Sequence, residues 1–309
     1  MILDILLPLG LGGALLAWGG DRLVEGASEG ARRLRLSPIF IGTVLVGFGT
    51  SAPELLTSVA AARSGLPDIA LGNVVGSNIT NVLLIGGVVA LLAPWAVAQQ
   101  ALARDYAFGV AAVALLAMAM LGGALHAMTG ALFLLLLGCV TIVALMGGGQ
   151  AAKTVEIAPV ARPVLWRAGL YGGLGLAAAL FGAGLFVEGA SDAARAFGMS
   201  EAAIGASIVA LGTSLPELAT SVMAARRREA GIALGNIVGS NLFNVLGVLG
   251  ATLLVAGITP AAETLWRDLP VLVLTTLALG WLLLGPRGAG RATGVALLGT
   301  YVLYLALML

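Results

Sequence analysis

The stretch GTVLVGFGTSAPELLTSVAAAR, Gly42–Arg63, returns later in the chain as GASIVALGTSLPELATSVMAAR, Gly205–Arg226. Just beyond it, IALGNVVGSNITNVL (Ile69–Leu83) returns as IALGNIVGSNLFNVL (Ile232–Leu246), at the same offset of 163 residues. From Gly42 to Asn81, 24 of 40 positions are identical to their partners at +163. The register runs outward as well. LVEGAS (Leu23–Ser28) matches FVEGAS (Phe186–Ser191), and Arg104-Asp105 matches Arg267-Asp268. No insertion interrupts it from Leu23 to Asp105, so the chain is a duplication.

Composition places this duplication in a membrane. Of the 309 residues, 60% are hydrophobic and only 10% charged, with a mean hydropathy of +1.05. A soluble domain is about 25% charged, and one this apolar would expose large greasy patches to water. Disorder needs low hydrophobicity. A net charge of +1 and a single cysteine, Cys139, argue against nucleic-acid binding and a disulfide scaffold. The fold class expected is an all-α polytopic membrane protein. Its 45 glycines suit closely packed membrane helices.

Apolar stretches near the ~20 residues needed to cross a bilayer lie at 3–30, 38–63, 68–93, 104–122, 127–147, 167–197, 201–226, 231–257, 266–284 and 290–308. The opening Met-Ile-Leu-Asp, without a basic region, does not read as a cleavable signal. Ten spans put twelve basic residues on one side: Arg32, Arg33, Arg35, Arg104, Lys153, Arg162, Arg167, Arg226, Arg227, Arg228, Arg287 and Arg291. Only Arg63, Arg195 and Arg267 fall on the other, with Arg22 left out because it lies inside the first span. The positive-inside rule makes the first set cytoplasmic, with both termini outside. Residues 1–147 form the first five-helix repeat, 148–166 a cytoplasmic linker and 167–309 the second repeat. Five is odd, so the second copy enters the membrane from the opposite side. Such inverted repeats build secondary transporters, with the substrate near the midplane where the copies meet.

Glu54 and Glu217 fall mid-span. A charge there costs about 2.5–3.5 kcal/mol on insertion scales, which makes both functional candidates. Pro53 and Pro216 precede them. Each proline lacks an N–H and clashes with the carbonyl four residues back, at Gly49 or Gly212. Carbonyls around Gly49–Ser51 and Gly212–Ser214 are therefore expected to lose partners. Freed carbonyls survive in a membrane only inside protein or beside a wet cavity, where transporters use them as cation ligands. Thr50, Ser51, Thr213 and Ser214 add hydroxyl oxygens. In the second motif, Ser77 and Asn81 share a helix face, as do Ser240 and Asn244. Gly72 with Gly76, and Gly235 with Gly239, offer surfaces for tight packing. Asn73, Asn78, Asn236 and Asn241 read as residues that cap or pin broken helices.

Two carboxylates, two carboxamides, hydroxyls and carbonyls are all hard oxygen ligands. They suit Ca²⁺, which takes about 6–8 oxygens, or alkali cations. Zinc or copper would want His or Cys, and His126 and Cys139 are single. His126 reads as a loop residue, Cys139 as a packing residue. Glu25 and Glu188, in equivalent places, read as parts of polar helix ends with local pairs rather than an ion path.

The paired motifs GTSAPE with GNVVGSNITN, and GTSLPE with GNIVGSNLFN, resemble the alpha repeats of the cation/Ca²⁺ exchanger superfamily. The whole chain looks most like the small prokaryotic Na⁺/Ca²⁺ exchangers. The resemblance implies ten helices, with the second, third, seventh and eighth forming a core around four cation sites. It implies that the long first and sixth helices slide across that core. Mapped by motif, the ligands fall on the side chains of Glu54, Glu217, Asn81, Asn244, Ser51, Ser214, Ser77 and Ser240, and on the backbone of Gly47, Thr50, Ala210 and Thr213. Many relatives pair an Asn with an Asp where this chain has Asn81 and Asn244. The cluster thus carries at most −2, which one Ca²⁺ or two Na⁺ would neutralise. A third Na⁺ would leave +1 in a low-dielectric site.

The expected function is antiport of Ca²⁺ against Na⁺ in the inner membrane of a prokaryotic cell. Ions and the lipid bilayer are the partners, with no cofactor, nucleic acid or obligate protein partner. Ca²⁺/H⁺ exchange through Glu54 and Glu217 is the alternative. A channel fits the inverted repeat less well. An intramembrane protease would need a Ser/His or Asp/Asp pair that the core segments do not offer.

Overall fold

The computed structural model describes residues 2–34, 36–95, 100–123, 125–151, 165–199, 204, 208–285 and 288–308. Most of the 148–166 linker and, apart from Ile204, the start of the seventh span at 201–207 lie outside the described residues, as do Arg35 and Arg287.

Helices account for nearly all of the described chain. They are α1 (Ile2–Leu34), α2 (Pro38–Arg63), α3 (Pro67–Leu92), α4 (Gln100–Leu121), α5 (Ala127–Ala151) and α6 (Leu165–Ala196). Then come α7, in the two pieces Ala210–Thr213 and Leu215–Arg226, α8 (Ala230–Val255), α9 (Thr264–Leu284) and α10 (Arg291–Met308). Seven of them, α2 to α6 with α8 and α9, are long and apolar enough to cross a membrane. Large apolar side chains such as Leu56, Met128, Leu135, Phe181 and Trp281 stand on the outer surface. In water such a surface would drive association; in a bilayer it meets lipid. The protein is a polytopic, all-helical membrane protein.

Burial sorts the helices into centre and periphery. In α3 and α8, 78% of the apolar window is buried, against 17% in α5. The peripheral helices dock crosswise at glycines. A Cβ on Gly294 of α10 would fall 2.7 Å from the carbonyl oxygen of Gly87 in α3. One on Gly130 of α5 would fall 2.6 Å from that of Gly250 in α8. Gly87 and Gly250 are duplicates, 163 residues apart, so each copy lends a helix to the core of the other. Two backbone stitches follow the same rule: Trp95 N–H donates to the Ala289 carbonyl at 3.0 Å, and Ile258 N–H to the Leu125 carbonyl at 2.8 Å.

Outside this core, α1 and α6 run antiparallel along one another over most of their length. Gly12, Gly19 and Gly26 recur every seven residues on α1, and their duplicates Gly175, Gly182 and Gly189 do so on α6. A seven-residue period keeps one seam facing the partner helix. Here the seam is backbone on backbone. A Cβ on Gly12 would lie 2.6 Å from Phe186 N, and one on Gly19 2.5 Å from Ala179 N. Without side chains between them, the two helices form one close-packed pair.

Two expectations change. Cys139 is exposed rather than packed, and lines an apolar groove between α4 and α5. Gly235 and Gly239 do pack tightly, against Ile39 and Thr43 of α2. Cβ atoms on Gly72 and Gly76, by contrast, would meet nothing within 4 Å among the described residues.

Candidate cation site

The helix breaks come first. At Ser51 the backbone leaves the helix (φ −80°, ψ 12°), and at Ser214 it does the same (φ −90°, ψ 6°). Proline explains both, because Pro53 and Pro216 cannot donate to the preceding turn and instead start a new helix, where their fixed φ is favourable. The freed backbone is narrower than the sequence alone suggests. Ser51 and Ser214 carbonyls recover partners in the N–H groups of Leu55 and Leu218, at 3.2 and 3.1 Å.

Glu54 and Glu217 each lie one turn beyond the break, and both are 1% exposed. Their partners come from the opposite copy. Ser51 Oγ donates to Glu217 Oε1 at 2.9 Å. Ser214 Oγ donates to Glu54 Oε1 at 3.1 Å. The second oxygen of each carboxylate, Oε2, is buried with no hydrogen-bond partner. No Lys, Arg or His pairs with either glutamate among the described residues. A buried carboxylate left like this costs several kcal/mol if charged.

The asparagines brace the breaks. Asn73 Nδ2 donates to the Glu54 carbonyl at 3.3 Å and to Ser58 Oγ at 3.0 Å. Its duplicate Asn236 donates to the Glu217 carbonyl at 3.2 Å and to Ser221 Oγ at 2.9 Å. Their oxygens accept across the copies, from Thr213 at 3.5 Å and from Thr50 at 3.3 Å. Pinning is therefore what Asn73 and Asn236 do.

Asn81 and Asn244 each begin a π-helical stretch, Asn81–Ile85 and Asn244–Leu249. Such widened turns recur at functional sites, and nothing in the local sequence announces them. Asn81 Nδ2 donates to Asn241 Oδ1 at 2.9 Å, which leaves Asn81 Oδ1 unpartnered. Both polar atoms of Asn244 are unpartnered, as is Ser77 Oγ. Ser240 Oγ donates to the Gly47 carbonyl at 3.1 Å. Thr50 and Thr213 hydroxyls bond back to Val46 and Ala210 carbonyls, at 3.0 and 3.1 Å. Gly47 is buried, because a Cβ there would sit 2.8 Å from Ser240 N. Ala210, its duplicate, is exposed.

Buried oxygens without partners are rare in native proteins and call for a ligand. Among the described residues they include Glu54 Oε2, Glu217 Oε2, Asn81 Oδ1, Asn244 Oδ1 and Ser77 Oγ, alongside side-chain oxygens of Ser28, Thr43, Asn78, Asp105 and Thr220. No cluster of three or more His, Cys, Asp or Glu occurs among the described residues. The donor set is oxygen alone and suits a hard cation.

The comparisons with known proteins agree with this chemistry. The sodium/calcium exchanger protein family model matches the chain twice, over residues 5–146 and 168–309. The CaxA protein of Alkalimonas amylolytica is 40% identical over 288 residues, 90% of this chain and 89% of its own. The sodium/calcium exchanger MaX1 of Methanosarcina acetivorans is 32% identical, covering 100% of this chain and 99% of its own. Among solved structures, the sodium-calcium exchanger NCX_Mj soaked with 10 mM Na⁺ and 10 mM Sr²⁺ superposes with a TM-score of 0.88. It is 31% identical and covers 99% of both chains. Two matches to one family model, near-complete coverage and a shared fold place the chain in the sodium/calcium exchanger family.

Proposed function

We propose that this protein is a secondary antiporter that moves Ca²⁺ against Na⁺ by alternating access. Its ions bind an oxygen cage built from Glu54, Glu217, Asn81, Asn244, Ser51, Ser214, Ser77 and Ser240. Backbone oxygens of Gly47, Thr50, Ala210 and Thr213 complete it. The observation that carries this reading is the reciprocal pair Ser51–Glu217 and Ser214–Glu54. It leaves one bare oxygen on each of two buried carboxylates. The Mj exchanger's likeness and the name of the Methanosarcina relative support Na⁺ as the coupling ion.

The architecture that goes with it is ten membrane helices in two inverted repeats, 1–147 and 167–309, joined by the 148–166 linker. Both termini lie outside the inner membrane. Inversion puts the cage at the midplane, where the copies meet. An empty cage would hold two buried charges with no cation, so crossing without ions is unfavourable and exchange is obligatory. With asparagine at both 81 and 244, the cage charge is −2. One Ca²⁺ or two Na⁺ balance it.

Glu54→Gln and Glu217→Gln are each expected to abolish Na⁺-gradient-driven ⁴⁵Ca²⁺ uptake in proteoliposomes. Removing a charge from a buried ionic cluster costs about 3–5 kcal/mol, or roughly 100- to 4,000-fold in affinity. Wild-type uptake by either variant would overturn the site. One observation favours a second reading, Ca²⁺/H⁺ exchange. The two glutamates have no cationic partner among the described residues and could carry protons in the absence of metal. Uptake driven by a pH gradient without Na⁺ would support it.

A further inference from the structure

The two serine–glutamate bonds of the site repeat across the duplication, but an ion-pair cluster on α1 does not. Arg227, in the turn between α7 and α8, grips Asp21 of α1 with two parallel bonds. Nε donates to Oδ1 at 2.6 Å and Nη2 to Oδ2 at 2.8 Å. Nη2 also reaches Glu25 Oε2 at 3.3 Å. Arg22 Nη1 donates to the same oxygen at 2.6 Å. One more contact lies along the same seam, Arg32 to Glu229 at 4.0 Å. The duplicates at 163 residues cannot repeat this: Gly184 and Leu185 stand for Asp21 and Arg22, and Ser64 stands for Arg227. Glu25 and Arg32 keep like duplicates in Glu188 and Arg195, but Leu66 stands for Glu229, so neither contact across the seam recurs.

The packing beneath the cluster differs in the same sense. α1 lies directly on Leu215–Arg226, where a Cβ on Gly20 would come within 3.0 Å of the Ala219 backbone. α6 makes no such extended packing on the equivalent Ala52–Arg63. Arg227 thus ties down the end of the one covered half.

In a carrier made of inverted copies, exchanging the conformations of the two copies turns one access state into the other. An interaction present in both copies is then made once in each state and cancels. One present in a single copy is made in one state and lost in the other, and so weights the equilibrium. We propose that the Arg227–Asp21–Glu25 cluster is a latch that holds α1 against α7 and favours the state in which this Arg-rich face is closed. The proposal rests on the alternating-access reading, and it makes Arg227 a determinant of the transporter's sidedness rather than of its ion selectivity.

The test uses accessibility, which needs no ion flux. In a Cys139→Ala background, Ala224→Cys reports the covered half and Ala61→Cys its uncovered duplicate. Each is labelled with a small polar thiol reagent in purified protein. Arg227→Gln and Asp21→Asn should each raise labelling of Ala224→Cys about fivefold, the size of a partly exposed bidentate ion pair, and lower labelling of Ala61→Cys. The exchange Arg227→Asp with Asp21→Arg should restore most of the original ratio. Unchanged labelling in well-folded variants, or a rise at both reporters, would overturn the latch. Absence of ⁴⁵Ca²⁺ exchange in the wild type would overturn the antiport reading instead, whatever the labelling shows.

Discussion

Ala52–Arg63 and Leu215–Arg226 share the pattern PEL-x-TSV-x-AAR, yet they are buried differently. In the second segment Pro216, Thr220 and Ala224 are buried; their duplicates Pro53, Thr57 and Ala61 are only half-buried. Nearly identical residues cannot choose different environments for themselves. The difference lies in what covers them: α1 lies on the second, while its duplicate α6 does not lie comparably on the first. Gly47 and Ala210 repeat the lesson, one buried under Ser240 and the other open. On the alternating-access reading proposed above, this asymmetry belongs to a conformation of the whole protein, which two near-duplicate halves can exchange. That is the physical content of alternating access in a duplicated chain.

The largest expected effect comes from what lets the covering pair move as a body. Gly19→Leu and Gly182→Leu place side chains where the α1–α6 backbones touch, and both should abolish exchange. Overpacking of this kind costs about 1–3 kcal/mol or more. Gly184→Ala, where a Cβ meets nothing within 4 Å among the described residues, should leave melting temperature and uptake unchanged. Equal loss from all three would mean that the seam is not special.

At the site the copies should behave alike. Ser51→Ala and Ser214→Ala each remove one hydrogen bond to a buried carboxylate, worth about 1.5–3 kcal/mol, so roughly 10- to 100-fold in apparent Ca²⁺ affinity. The two losses should agree within a few-fold in an equilibrium ⁴⁵Ca²⁺ binding assay. A loss confined to one serine would break the symmetry of the cage.

The smallest effect isolates conformation. In a Cys139→Ala background, Thr57→Cys should react several-fold faster than Thr220→Cys with a polar thiol reagent. Saturating Ca²⁺ or Na⁺ should alter that ratio. Equal and ion-independent rates would erase the comparison.

Much of this was legible in the sequence. The offset of 163 residues exposed the duplication, and the carboxylates inside apolar segments marked the candidate site because charge is costly there. The reciprocal serine–glutamate bonds were not legible. They depend on how the copies are juxtaposed, which no single repeat encodes. The glycine seam carried a readable signal, a seven-residue period present in both copies, that a search for polar motifs passes over. Cys139 was misread because a small sulfur side chain suits lipid as well as a core. Gly72 and Gly76 were misread because a small-residue spacing gives a surface without naming what it meets. The differing burial of the two PEL segments could not be read from the segments themselves, since it depends on which other helix packs on each.

The central claim is that two glutamates and their oxygens exchange Ca²⁺ for Na⁺. It is tested most directly by ⁴⁵Ca²⁺ uptake into proteoliposomes under separately imposed Na⁺, K⁺ and pH gradients. The account predicts uptake when an outward Na⁺ gradient is imposed and little when only K⁺ or pH differs across the membrane. Full uptake under a pH gradient with Na⁺ absent would contradict it.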